Sequence, residues 1–189
     1  MKELIIWDFD DTFIRTPGPE AFKELIDNKI LDIDKINEDR ILFWEDSISL
    51  DTNYFQLVSK KPVVDLFKSY EDQGNVEHIL ITNRSTRMLP QINRILKGIG
   101  VNIPHIYSGT DYGGKINVLK NHIKKHSPYD YFVVVEDSIH NLYDYQEFFL
   151  SSALQHKFIF VNTHSMGEIV GRIPRMTNEQ DVQMILHKD

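Results

Sequence analysis

Leu4-Ile5-Ile6-Trp7-Asp8-Phe9-Asp10-Asp11-Thr12 is the stretch on which the fold turns. An unbroken apolar run stops abruptly at an acid. A short continuous run of this kind reads as a strand buried on both faces, as in parallel sheets. Asp8 and Asp10 then follow at alternating positions. Two carboxylates at the mouth of a buried strand are costly unless something compensates their charge. A hard divalent cation such as magnesium takes oxygen ligands and is the natural compensation. The plainer reading of either acid alone is a turn or helix cap. The motif by itself does not decide between the two.

Working outward, the same kind of run recurs. His78-Ile79-Leu80-Ile81 halts at Thr82, and Tyr131 to Val135 halts at Glu136-Asp137. Ile103 to Tyr107 and Lys157 to Val161 give two more strand-like runs. Between them lie segments of helical spacing: 20–37, 63–74, 86–98, 115–125 and 142–150. Pro90 falls in a first helical turn, where proline is tolerated. Ile41 to Thr52 reads as loop with one turn of helix. Alternation of strand and helix predicts a parallel sheet with helices on both faces. Ligands bind such sheets at the carboxyl ends of the strands. Asp8, Thr82 and Glu136-Asp137 are all predicted to stand there.

Each strand-end residue has a functional and a plain reading. Thr82, with Asn83 beside it, offers hydroxyl, amide and backbone N–H groups to phosphate oxygens; it also reads as a turn residue. Lys115 opens a helix after Gly113-Gly114, which opposes the helix dipole unless its side chain serves an anion. Taken alone it reads as a solvated surface lysine. Glu136-Asp137 supplies a second carboxylate set for a metal, and Asp137 or Ser138 reads equally as a helix cap.

The ordered set of Asp8-x-Asp10-x-Thr12, Thr82, Lys115 and Glu136-Asp137 resembles the haloacid dehalogenase (HAD) superfamily of phosphohydrolases. The resemblance covers Met1 to about Val161. It implies a HAD-like Rossmannoid α/β fold and a Mg2+-dependent phosphatase working through an aspartyl-phosphate. By that resemblance Asp8 is the nucleophile. Asp10 protonates the leaving group and then activates water. Thr82, Asn83 and Lys115 hold the phosphoryl oxygens. The metal set is Asp8, Asp10 through its backbone carbonyl, and Asp137. Glu136 is a weaker ligand candidate, and Asp11 is structural. Asn141 stands where many relatives carry a further acid, and His140 lies nearby.

A narrower resemblance is to the HAD domains of Swiss Army Knife RNA-repair proteins. It rests on Thr16-Pro17-Gly18-Pro19, Phe43-Trp44-Glu45-Asp46, Ser49-Leu50 and Glu136-Asp137-Ser138-Ile139-His140. Arg commonly stands in those relatives where Ser138 stands here. Phe43 and Trp44 also read as packing of the insertion. The expected organisation is a core over 1–165, a small cap-type insertion over 13–61, and a C-terminal appendage over 166–189 with a helix at 178–186. A light cap leaves the site open, which fits a phosphorylated substrate as large as a nucleotide or polynucleotide end. Arg84, Arg87, Arg94 and Lys97 offer a basic rim for such a substrate, or a solvated helix face.

Composition sets outer limits. The 189 residues suit one domain with an insertion. There is no Cys, which excludes disulfides and thiolate metal sites and fits a reducing, cytoplasmic setting. The formal charge of −7, from 21 basic and 28 acidic residues, argues against nucleic-acid binding by bulk charge. No apolar run is long enough to span a bilayer, and no membrane partner is expected. The competing readings are a small-molecule (sugar or nucleotide) phosphatase, a phosphoryl transferase, a non-catalytic HAD-like binding module and a response-regulator receiver. The receiver needs an isolated Asp at the end of its third strand, and none is present.

Overall fold

The computed structural model describes residues 1–30, 47–126, 128–162 and 182–186. Its centre is a six-stranded sheet in the order β5-β4-β1-β6-β7-β8. The strands are β1 (Glu3–Trp7), β4 (Val76–Thr82), β5 (His105–Ser108), β6 (Tyr131–Glu136), β7 (His156–Asn162) and β8 (Val182–Leu186), and every neighbouring pair is parallel. Two further strands, β2 (Ile14–Arg15) and β3 (Val58–Ser59), form a separate antiparallel pair. That pair joins the two ends of the segment expected as an insertion over 13–61.

The five runs predicted as strands are β1, β4, β5, β6 and β7. Their lack of alternation follows from burial on both faces. Ile5 and Trp7 enter one core with Phe13, Phe67, Leu80, Ile92 and Val133. Leu4 and Ile6 enter the other with Ile79, Leu119, Phe132, Val134 and Phe149. The first core is covered by α2 (Lys61–Glu71) and α3 (Leu89–Gly98). The second is covered by α4 (Lys115–His126) and α5 (Ile139–Ser151). No helix of the described residues is long and apolar enough to cross a membrane.

Chain order explains where the site must lie. From central β1 the chain fills β4 and β5 on one side, then crosses back to β6 on the other. The strand order therefore reverses beside β1, and a crevice opens at its carboxyl end. Register does the rest: Trp7 lies level with Leu80 and Val135. Asp8, Thr82 and Glu136 consequently emerge together.

Two expectations need correction. Of the helix predicted over 20–37, the described part is α1 (Pro19–Asp27), which ends at Asn28; 31–37 lie outside the described residues. Lys29 then takes a φ of 56°, which halts helical propagation. The helix predicted over 178–186 is absent from the described part: Val182-Gln183-Met184-Ile185-Leu186 is β8, paired with Phe158–Asn162. A short apolar run is ambiguous by periodicity, and the open edge of β7 supplies backbone partners that an isolated helix lacks. Within the insertion, Ser47–Leu50 is the single helical turn expected. Phe43, Trp44, Glu45 and Asp46 lie outside the described residues.

Candidate active site

Asp8 leaves the sheet with its backbone pinned, its N–H donating to the Val135 carbonyl at 3.0 Å. The chain then turns sharply around Phe9, whose carbonyl accepts from the N–H groups of Thr12, Phe13 and Ile14 at 3.4, 3.0 and 3.3 Å. Asp11 sits in the turn at a φ of 51°, a left-handed conformation that Asp tolerates better than most residues. Its N–H donates to the Ile14 carbonyl at 2.7 Å, and its own carbonyl accepts from the buried Lys60 ammonium. Asp11 is thus a turn residue, as expected.

Lys115 explains its awkward position at the start of α4. Its ammonium is buried and donates to Asp8 Oδ1 at 2.5 Å and Glu136 Oε2 at 2.7 Å. Thr12 Oγ1 lies 3.4 Å from the other Asp8 oxygen, and the Ser138 N–H donates to Glu136 Oε1 at 3.1 Å. Asp137 completes the group: Asp8, Glu136 and Asp137 each offer an oxygen within 4.8 Å of the others. Three carboxylates against one ammonium leave a formal excess of two negative charges.

That excess shows in the acidities. Burial, reinforced by Glu136, pushes the Asp8 carboxyl above its ordinary range despite Lys115. Burial, then Asp8 and Glu136, pushes Asp137 up to about 9. Burial pulls Lys115 down, but Asp8 and Glu136 outweigh it and hold the ammonium charged. One lysine cannot neutralise three acids, so Asp8 and Asp137 hold on to their protons more strongly than ordinary carboxyls. An oxygen-only donor set with two buried members and one half-buried, two formal charges short of neutrality, fits a divalent cation such as magnesium.

Asp10 is turned elsewhere. Arg84 grips its carboxylate, Nε donating to both oxygens at 2.9 Å and Nη2 to Oδ1 at 2.7 Å. Arg84 is 1% exposed, and its Nη1 donates to Ser49 Oγ of the insertion at 2.5 Å. The Asp10 side chain therefore stands apart from the three-acid group.

Thr82 is fully buried and its Oγ1 accepts from the Arg84 N–H at 3.2 Å. Its carbonyl accepts from the Gly109 N–H at 2.6 Å. Asn83 is exposed, and its carbonyl accepts from Thr110 Oγ1. Gly109 fits where a side chain could not: a Cβ there would lie 2.9 Å from Asn83 Oδ1 and 3.2 Å from both Lys115 Cγ and N. Beside Lys115 opens a cavity of about 340 Å³, lined in part by Asn83, Asn117, His140, Asn141, Asp144 and Tyr145. Burial raises the Tyr145 hydroxyl above its ordinary range, so it stays protonated.

The structure thus gathers Asp8, Lys115 and Asp137 at one point, with Thr82 and Asn83 on the adjoining loop. Glu136, the weaker ligand candidate, belongs fully to the acidic group and anchors Lys115. His140 and Asn141 line the cavity. The basic rim is corrected: Arg87, Arg94 and Lys97 are exposed, but Arg84 is buried against Asp10. Helical spacing misleads here, because α3 begins only at Leu89 and Arg84 lies in the loop before it. The available signal was its place two residues past Thr82, a strand end facing the crevice. Lys60 and Gly109 were also missed, since they act through a backbone contact and close packing that no motif spells out, and Ser49 was quoted only as part of a motif, without its bond to Arg84.

No protein-family model matches the chain, and no curated protein matches it. Solved structures do. A haloacid dehalogenase-like hydrolase from Streptococcus pneumoniae superposes with a TM-score of 0.59 at 12% identity, covering 99% of this chain and 94% of that one. The HAD domain of the effector protein Lem4 from Legionella pneumophila gives 0.52 at 12% identity, with 92% and 94% covered. A HAD-superfamily subfamily IA hydrolase from Geobacter sulfurreducens gives 0.51 at 11% identity, with 87% and 92% covered. The chain therefore has the Rossmann-like fold of HAD-superfamily hydrolases.

Proposed function

We propose that this protein is a magnesium-dependent phosphomonoesterase that works through an aspartyl-phosphate on Asp8. The observation that carries the reading is the cluster of buried Asp8 and Glu136, both paired with Lys115, and half-buried Asp137, at the carboxyl end of β1. The HAD-like fold supports it. An Asp8 oxygen attacks phosphorus and the bond to the leaving oxygen breaks. Asp10 gives that oxygen a proton. Asp10 then takes a proton from water as the water attacks the aspartyl-phosphate, releasing inorganic phosphate and restoring Asp8. Lys115, Thr82 and Asn83 hold phosphoryl oxygens and offset the charge developing on them. Magnesium would be held by Asp8, Asp137 and the Asp10 carbonyl, with Glu136 beside them, and would supply the positive charge the acids lack.

The proposed substrate is a phosphate at a nucleotide or polynucleotide end; what supports it is the sequence resemblance of Thr16–Pro19 and Glu136–His140 to RNA-repair HAD domains and the expected small size of the insertion. A small sugar or nucleotide phosphate is the second reading, favoured by the polar cavity of about 340 Å³ beside Lys115. Phosphate release from 3′- and 5′-phosphorylated oligonucleotides, mononucleotides and sugar phosphates at low salt separates them. Higher kcat/KM on oligonucleotides supports the first reading; no turnover of any oligonucleotide overturns it.

A further inference from the structure

Arg84 is the most heavily engaged side chain near the site, and neither the motif set nor the three-acid group accounts for it. A buried guanidinium is retained only where its donors are satisfied. Here its edge is spent on one carboxylate: Nε reaches both Asp10 oxygens at 2.9 Å, and Nη2 reaches Oδ1 at 2.7 Å. A planar fork of this kind fixes a carboxylate in rotation as well as position, which a lysine cannot do. The remaining edge turns to the insertion, where Nη1 donates to Ser49 Oγ at 2.5 Å. Ser49 itself is fully buried, so this end of the fork is held rather than loose. The Arg84 backbone is tied to the phosphate-binding loop through Thr82 Oγ1 at 3.2 Å. One residue thus connects three parts: the loop after β4, the insertion and the Asp10 carboxylate.

We propose that Arg84 is the positioning residue of acid–base catalysis: its fork holds the Asp10 carboxylate that remains once the proton has passed to the leaving oxygen, with Ser49 transmitting the seat of the insertion to that hold. The proposal rests on the reading of Asp10 as the group that protonates the leaving oxygen. Its consequence is selective. A poor leaving group, such as an alkoxide, needs a well-placed proton donor. An acidic phenol leaves with little help. Misplacing Asp10 should therefore penalise alkyl phosphates far more than aryl phosphates. Loss of a phosphate-binding residue or of general order would penalise both alike.

The test measures kcat and KM for an alkyl phosphate, glycerol 2-phosphate, and an aryl phosphate, p-nitrophenyl phosphate, with magnesium. The proteins are wild type, Arg84→Ala, Arg84→Lys, Ser49→Ala and Asp8→Asn. Arg84→Ala should lower the alkyl-to-aryl kcat ratio by about 30-fold or more, somewhat less than the roughly 100-fold or more of a fully lost acid–base contribution, because Asp10 is misplaced and not removed. Arg84→Lys, which keeps charge without the fork, should recover part of that ratio. Ser49→Ala should shift it in the same direction by a few-fold, roughly, since it removes one hydrogen bond and leaves the fork. Should Arg84→Ala fail to fold, Arg84→Lys and Ser49→Ala carry the same comparison. An unchanged ratio in the folded variants overturns the proposal, as does a KM increase shared equally by both esters. A wild type inert to both esters, or Asp8→Asn as active as wild type, overturns the hydrolase reading itself and the role of Arg84 with it. That result is distinct from a uniform loss in the Arg84 variants.

Discussion

At the scale of single residues, the acidic group behaves as a site short of positive charge. Asp137 shows this most directly. Its carboxyl is pushed from an ordinary 3.8 up to about 9. Between those values the metal-free folded chain keeps a proton that the unfolded chain has released, so this residue's contribution to stability falls as pH rises. Asn does not titrate. Asp137→Asn is therefore expected to raise the thermal midpoint in EDTA, by more at pH 8 than at pH 5. Magnesium should raise the midpoint of wild type and raise that of the variant less, because a ligand stabilises only what binds it. Thermal scans at the two pH values, with EDTA and with magnesium, check both parts; an advantage independent of pH would contradict them. Gly109 gives a second residue-scale prediction. An added Cβ would press on Asn83 Oδ1 at 2.9 Å and on the Lys115 backbone at 3.2 Å. Gly109→Ala should cut kcat/KM by about tenfold or more through displacement of those groups, and cost about 1–3 kcal/mol of stability. Steady-state kinetics beside a denaturant titration measure both, and wild-type values for both would refute it.

At the scale of elements, the sequence speaks clearly where a strand is buried on both faces and ends in a reactive residue. The runs before Asp8, Thr82 and Glu136 carry no alternation, so strand character, parallel pairing and site location could be read together. Lys115 was legible because a cation at a helix start demands an anion. Legibility fails where long-range contacts decide. Arg84 looks like part of a basic helix face until the loop before α3 folds it back onto Asp10. Glu136 looks secondary until Lys115 reaches it across 21 positions of sequence. Val182–Leu186 looks helical until β7 presents its edge. The last case is testable. Ending the chain at residue 181 removes the ladder along Phe158–Asn162 and leaves β7 with an open backbone edge. The shortened protein should melt several degrees lower, roughly, and self-associate more readily. Thermal scans and light scattering check this, and an unchanged midpoint with no association would argue that β8 contributes little.

At the scale of the whole molecule, the parts converge on one crevice. Two cores bury both faces of the sheet and fix the register that sets Asp8 level with Glu136 and one residue short of Thr82. The reversal of strand order beside β1 opens the crevice, and the short insertion leans in through Ser49. The central claim is that Asp8 attacks phosphorus there with a divalent cation beside it. The most direct test is release of inorganic phosphate from p-nitrophenyl phosphate, with magnesium and with EDTA, by wild type and Asp8→Asn. The account predicts turnover that needs magnesium and falls by about 10³-fold or more in Asp8→Asn, as expected when a nucleophile is lost. Turnover that survives in Asp8→Asn would contradict it.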